Sequence, residues 1–349
     1  MTSRVIHVIP ELRAAHVQRL GRWAPDDVVL YRKLKWDMTR QPDASQATKL
    51  TVASLWHALR ATRHVVVELP EPLWMRELGF TTSVALAVRL MKGRRARLVA
   101  YCIENNETTA LVGYRGRLQS LVSALVLKIV GATYSRILDG LVFGSPGSMT
   151  TYANIPRMLN VEHELILELP APSPPLVTRD TDGALFVGTL DNRKGVAELL
   201  PAWAAAESTM SANITIVGDG PLAADVALWT SERPERRTYL PHVDHELMVE
   251  IYRTHRVLIA PSIRDGRWRE QIGLPIKEAL SHGLTIVTTT ETGLSGWLSA
   301  NGHTTISAAS DLETAICASL AAPLDPSVVA ASLPSRDGRQ RADDWMRRR

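Results

Sequence analysis

A chain of 349 residues that is 45% hydrophobic and 22% charged carries enough apolar material for two ordinary cores and enough charge to keep them in water. A formal net charge of +4, from 40 Lys and Arg against 36 Asp and Glu, favours anionic partners such as phosphates or acidic lipid, but is far below that of a dedicated nucleic-acid binder. Cys102 and Cys317 lie far apart with no Cys-x-x-Cys or Cys/His cluster, so neither a disulfide framework nor a structural metal is indicated, and a reducing cytoplasmic setting is expected.

The first residues run directly into a strand-like segment at 5–10 without the zones of a signal peptide, so no export signal is expected. Further strands are predicted at 28–32, 64–69, 98–104, 140–145 and 164–169, with helical pattern at 50–61, 83–91 and 118–130. Short apolar runs alternating with longer amphipathic segments are the pattern of a parallel sheet covered by helices on both faces, which makes the class α/β. The most apolar stretch, 121–132, is interrupted by Lys128 and is shorter than the roughly 20 residues of a membrane span.

Two features of this half bear on partners. The basic run 89–97, with Lys92, Arg94 and Arg95, follows an apolar helical segment holding Leu86, Val88 and Leu90. It reads either as a solvated face or as a peripheral contact with anionic lipid at the inner face of a membrane. The strand at 98–104 ends in Glu104 and Asn105; polar side chains at strand ends of such a sheet are candidates for a ligand, here on the acceptor side.

Residues 170–175 hold four prolines in six positions, which excludes helix and central strand and predicts a stiff connector. The domain boundary is placed there, giving domains at 1–170 and 171–330 and a basic tail, 331–349, that is either a closing helix or disordered. Beyond the connector the alternation restarts. Strands are predicted at 184–190, 214–217, 238–240, 257–261 and 284–288, and helices from 195, at 244–252 and at 274–281.

The strongest chemical signal follows the strand at 257–261. Glu270 and Glu278 bracket a helix start eight residues apart, with Gly273 permitting close approach to the backbone and Pro275 suiting the first turn. A carboxylate accepts hydrogen bonds from two vicinal hydroxyls, so one glutamate could hold a hexose and the other a ribose. Lys194, in an Arg193-Lys194-Gly195 turn, is a cation of the kind that stabilises charge on a departing nucleotide.

The segment from Glu270 to Glu278 resembles the Glu-x7-Glu signature of the family 4 retaining glycosyltransferases, which have the GT-B fold. Three further stretches stand in the same order as in that family: Phe186-Val187-Gly188-Thr189-Leu190 with the Lys194-Gly195 turn, Val217-Gly218-Asp219-Gly220-Pro221, and Leu240-Pro241-His242-Val243. The resemblance implies two doubly wound Rossmann-like domains facing each other across a cleft, with a nucleotide-diphosphate sugar on the C-terminal domain and a glycan or lipid-linked hydroxyl acceptor on the other. It assigns Glu270, with the backbone at Gln271, Ile272 and Gly273, to the transferred sugar. Glu278 falls to the ribose, Lys194 to the leaving diphosphate, and Gly218 and Val243 to the nucleotide. The family pairs that lysine with an arginine five residues earlier; here the position is Thr189, leaving Arg193, Arg264 or Arg267 to supply the second cation. No cofactor or metal is implied. Two other readings remain open on the residues alone: a nucleotide-sugar epimerase or hydrolase, and a noncatalytic sugar-nucleotide-binding partner of a glycan assembly system.

Overall fold

The computed structural model describes residues 4–13, 16, 26–35, 38, 47–62, 64–108, 117–176, 183–266 and 268–348. The chain divides into two compact units, Met1–Ile166 with Arg339–Arg349, and Leu167–Gly338.

The first unit is built on strands β1 (Arg4–Leu12), β2 (Val28–Leu34), β3 (Ala47–Lys49), β4 (Val65–Leu69), β5 (Ala96–Cys102), β6 (Gly140–Phe143) and β7 (His163–Leu165). They form a parallel sheet in the order β3-β2-β1-β4-β5-β6-β7. Val65, Val66 and Val67 are all buried, the unbroken apolar run of a strand covered on both faces. Helices α1 (Val52–Arg60), α2 (Leu78–Lys92) and α3 (Arg117–Ile137) cover one face, and α4 (Pro146–Ala153) follows β6. Thr51 and Ser145 each cap a helix through a reciprocal bond with a serine three residues on, Ser54 and Ser148. The sequence ended the first strand at Pro10, yet β1 continues to Leu12. Only Arg4 to His7 pair with β4; beyond them β1 pairs with β2 alone, and the missing proline N–H costs no ladder bond.

The second unit repeats the plan with β8 (Ala184–Val187), β9 (Ile214–Val217), β10 (Arg237–Leu240), β11 (Val257–Ala260), β12 (Thr285–Thr289) and β13 (Thr304–Ile306), all parallel in the order β10-β9-β8-β11-β12-β13. Its helices are α5 (Val196–Ala206), α6 (Ala223–Ser231), α7 (His245–Arg253), α8 (Leu274–Ser281), α9 (Ser295–Ala300), α10 (Leu312–Ala321) and α11 (Pro326–Ser332). Trp203 of α5 is fully buried in this core, among β8, β9 and α10 residues. The strand order reverses between β8 and β11, which places a crevice for ligands at their carboxyl ends.

The tail becomes helix α12 (Gly338–Arg347), which belongs to the first unit and buries Ala342, Trp345 and Met346 against Val66, Val99 and Val142 on the sheet face opposite α1–α3. The proline connector is laid on the second unit: Glu168 pairs with Lys277 of α8 at 2.9 Å, and the Ser173 N–H donates to Ser281 O at 2.7 Å. The units therefore part at Ile166–Leu167 rather than at residue 170, and the chain returns to the first unit after Gly338. Among the described residues no single helix is long and apolar enough to cross a membrane.

Candidate functional site

At the carboxyl end of β8 the chain turns through Asp191, whose carboxylate caps a short 3-10 turn, Asn192–Lys194, by accepting from the Lys194 N–H at 3.1 Å. Gly195 closes the turn at φ +74°, and a β-carbon there would lie 2.0 Å from Pro261 O at the end of β11. Only glycine lets the two strand ends come this close. The approach carries Lys194 to Glu270: their side chains form an ion pair, and Ser262 Oγ donates to the same carboxylate oxygen, Oε2, at 3.0 Å. The two side chains are 19% and 13% exposed, so the pair is largely withdrawn from water yet open to a ligand. It lines a shallow depression between β8 and β11, walled by Phe186, Ala260, Gly273 and Ile276. Ser262 also lines a neighbouring cavity of about 140 Å³ at the ends of β11, β12 and β13, with Glu198, Thr289 and Ile306.

The loop before Glu270 folds over this place. A bridge between Asp265 and Trp268 makes a tight turn, and the Trp268 ring lies 4.7 Å from the Arg193 guanidinium and 5.2 Å from Lys194 Nζ. Arg193 Nε donates to Asp191 Oδ2 at 2.7 Å. Of the three arginines considered for a second cation, Arg193 is thus the one held beside Lys194. Arg264 is exposed and lines the neighbouring cavity, and Arg267 lies outside the described residues.

The segment after Glu270 is fixed from behind. Gln271 O accepts from the Gly293 N–H at 2.8 Å and Ile272 O accepts from Thr292 Oγ1 at 3.0 Å. The Ile272 side chain is buried. Gly273, at φ +85°, is the N-cap of α8, and Pro275 sits in the first turn. One turn on, the Glu278 carboxylate accepts from the buried Tyr252 hydroxyl at 2.8 Å. Burial and the neighbouring Glu278 charge hold that phenol well above its ordinary pKa, so it remains a donor to Glu278. Gly218 is another close approach: a β-carbon would stand 1.9 Å from Gly188 O, and its N–H caps β10 by donating to Leu240 O at 3.0 Å. Val243 is half-buried on the loop that follows β10 and precedes α7.

In the first unit, the Glu104 carboxylate is turned back on its own loop, accepting from the Asn106 backbone at 3.0 Å and its side-chain amide at 2.7 Å, and Asn105 is buried. The carboxylate that organises these strand ends is Glu71, just after β4, which the sequence reading did not single out. It accepts from the Ile103 N–H at 2.7 Å, the Glu104 N–H at 3.2 Å and the Tyr152 hydroxyl. Burial, reinforced by the Glu104 charge and opposed by those hydrogen bonds, pushes the Glu71 carboxyl up to about 7. Its only sequence signal is an acid between two prolines directly after a buried strand. Tyr252, Ser262 and Trp268 carried no signal, since each reaches the site from another element or through a loop.

Two parallel doubly wound units, the second with a cationic and acidic cluster at its switch point, define the GT-B glycosyltransferase fold. Residues 181–324 match the family described as Glycosyl transferases group 1. Over nearly its whole length the chain is similar to several solved structures. One is Alr3699/HepE of Anabaena in complex with UDP, at TM-score 0.68 and 13% identity, covering 98% of this chain and 99% of that one. Another is an alpha,alpha-trehalose-phosphate synthase (UDP-forming) of Burkholderia vietnamiensis, at 0.64 and 11%, covering 99% and 100%. A third is WaaG, a glycosyltransferase involved in lipopolysaccharide biosynthesis, at 0.56 and 14%, covering 97% and 95%. No curated protein matches the chain in sequence.

Proposed function

We propose that the chain is a retaining glycosyltransferase that moves a hexosyl-type sugar from a nucleotide-diphosphate sugar to a hydroxyl acceptor in glycan or glycoconjugate synthesis. The observation that carries this reading is the Lys194–Glu270 pair, braced by Ser262 at the switch point of the second sheet, with Glu278 one helix turn beyond on the same segment.

Breaking a glycosyl–phosphate bond leaves negative charge on the departing diphosphate, and a fixed cation is worth most where that charge grows. Lys194 supplies it. A bound diphosphate replaces Glu270 as its partner, and the freed carboxylate turns to the sugar hydroxyls. Arg193, held by Asp191 and Trp268, is the second cation in place of the family's arginine. Glu278, oriented by Tyr252, receives the ribose hydroxyls. The similar Anabaena structure holds UDP, which makes UDP-sugars the first donors to test. The acceptor is assigned to the first unit, on the resemblance.

The test incubates purified protein with a panel of labelled nucleotide sugars, with and without glycan and lipid-linked acceptors. Acceptor-dependent transfer is expected, and it should disappear in Glu270→Gln. Release of free sugar or an isomer without acceptor would replace transfer by hydrolysis or epimerisation, and binding without turnover would make the protein a noncatalytic partner.

A further inference from the structure

Among the described residues thirteen large hydrophobic side chains are exposed, and eight of them lie on α1, α2 and α3, the layer covering one face of the first unit. On α3 they form a stripe. Leu121, Leu125 and Ile129 follow one another at four-residue intervals with Val122 beside them, and they are 69%, 58%, 56% and 43% exposed. The opposite arc of the same helix, Leu127, Val130, Tyr134 and Ile137, is buried in the core. A helix that is apolar on both arcs needs an apolar surrounding on both, and the protein supplies only one. On α2, Leu86 and Leu90 also point outward, Leu90 at 88% exposure.

Charge says what the missing surrounding is. The three helices contain no Asp or Glu, while Arg60, Arg89, Lys92, Lys128 and Arg136 fall within them and the exposed Arg94 and Arg95 follow α2 directly; Asp139 pairs with Arg89 and Arg94 and offsets one of these charges, which leaves the face cationic. Lys128 is exposed among the stripe residues Leu121, Leu125 and Ile129, and a lysine in such a place can lay its stem along apolar surface while its ammonium stays in a polar layer. A second copy of this chain laid on the same face would bring like charges together. An anionic bilayer matches both properties at once, acyl chains for the stripe and headgroup phosphates for the cations.

We infer that the α1–α3 face of the first unit docks on an anionic membrane surface, with the outer arc of α3 lying in the interface plane. The helix cannot span, because its other arc is committed to the core and the Tyr134 hydroxyl is hydrogen-bonded to Thr82 at 3.0 Å. The docking face is therefore centred on α3 rather than on the basic run 89–97, which contributes its flank.

The test is flotation of the full chain with vesicles of phosphatidylcholine alone and of phosphatidylcholine with about 30% phosphatidylglycerol, without donor or acceptor, so that its result is independent of the transfer reaction. The wild type should float with the anionic vesicles and be released by salt. The double variant Leu125→Asp with Ile129→Asp should lower partitioning by about tenfold or more, and Lys128→Glu by about fivefold, with circular-dichroism melts unchanged. A second double variant, Leu125→Gln with Ile129→Gln, gives the same readout without added charge. Failure of the wild type to float, or flotation unaltered in both double variants, overturns the inference. So does light scattering that finds a dimer dispersed by those substitutions, which would make a second copy the occupant.

Discussion

Tyr252 shows what a single hydroxyl contributes to the proposed donor site. It arrives from α7, a helix away from the carboxylate it serves, and its bond to Glu278 holds that side chain in one orientation. Removing it in Tyr252→Phe deletes one hydrogen bond to a charged group and leaves the stacked packing on His282 intact. On the proposed reading with UDP as the nucleotide, its binding should weaken by about 1.5 to 3 kcal/mol, and Glu278→Ala should cost at least as much. Calorimetric titration of the two variants checks this; full UDP affinity in Tyr252→Phe, with only a lowered Tm, would leave the hydroxyl a structural role alone. Glu270, Glu278 and Lys194 were singled out in the sequence because each belongs to a contiguous run with a turn glycine beside it. Tyr252, Ser262 and Trp268 were not, because nothing in their own neighbourhoods distinguishes them from core or loop residues until the fold brings them in. Glu104 shows the converse: it is conspicuous in the sequence at a strand end, but its carboxylate is satisfied within its own loop.

Among the elements, α12 depends most on tertiary partners. Its sequence is polar, and the expectation was divided between helix and disorder. Two buried-type contacts decide it: Trp345 in the sheet face, and a line of ion pairs in which Arg339 meets Glu68 and Asp343, and Arg347 meets Asp27. His7, on β1, completes the line by bonding Glu68 at 2.6 Å. Glu68 and Asp27 are both held well below the usual carboxylate range. Burial works against their ionisation and is outweighed by Arg339 and His7 for Glu68, and by His7 and Arg347 for Asp27. Breaking one partner of such a pair leaves a charge without its match in a poorly hydrated place, so Arg339→Ala should destabilise the first unit by about 3–5 kcal/mol. Trp345→Ala should cost a similar amount through the cavity it leaves. Denaturant titrations measure both, and losses under 1 kcal/mol would show that α12 adds little to that unit. The strands and longer helices were readable from apolar periodicity. Three-residue β3 and β13 were missed because so few positions carry no period, and α4, α6, α9, α10 and α11 because short helices rich in Ala, Ser and Thr have little pattern to find.

Across the whole molecule the two units respond to pH in opposite directions. In the first, Glu71 titrates at about 7 in the folded state, above the ordinary carboxyl value, so folding favours its neutral form. The stability it contributes is complete below the unfolded value and is lost as pH rises through 7. His7 acts in the same sense: burial disfavours the imidazolium, but the bonds to Asp27 and Glu68 prevail and raise its pKa. In the second unit burial lowers His303 to about 4 and also lowers His255 and His282. Those rings fold neutral, so their contribution is present above the ordinary histidine value and is lost as pH falls toward their folded values. Between pH 8 and pH 5.5 the first unit should therefore gain stability while the second loses it. Hydrogen exchange followed by mass spectrometry resolves the two, through peptides of β4 and β5 for one and β12 and β13 for the other. Glu71→Gln isolates the largest of these terms, because the amide mimics the neutral acid at every pH. Relative to wild type it should stabilise the first unit more at pH 8 than at pH 5.5. An equal difference at the two pH values would mean that Glu71 carries no proton in the folded protein near neutrality.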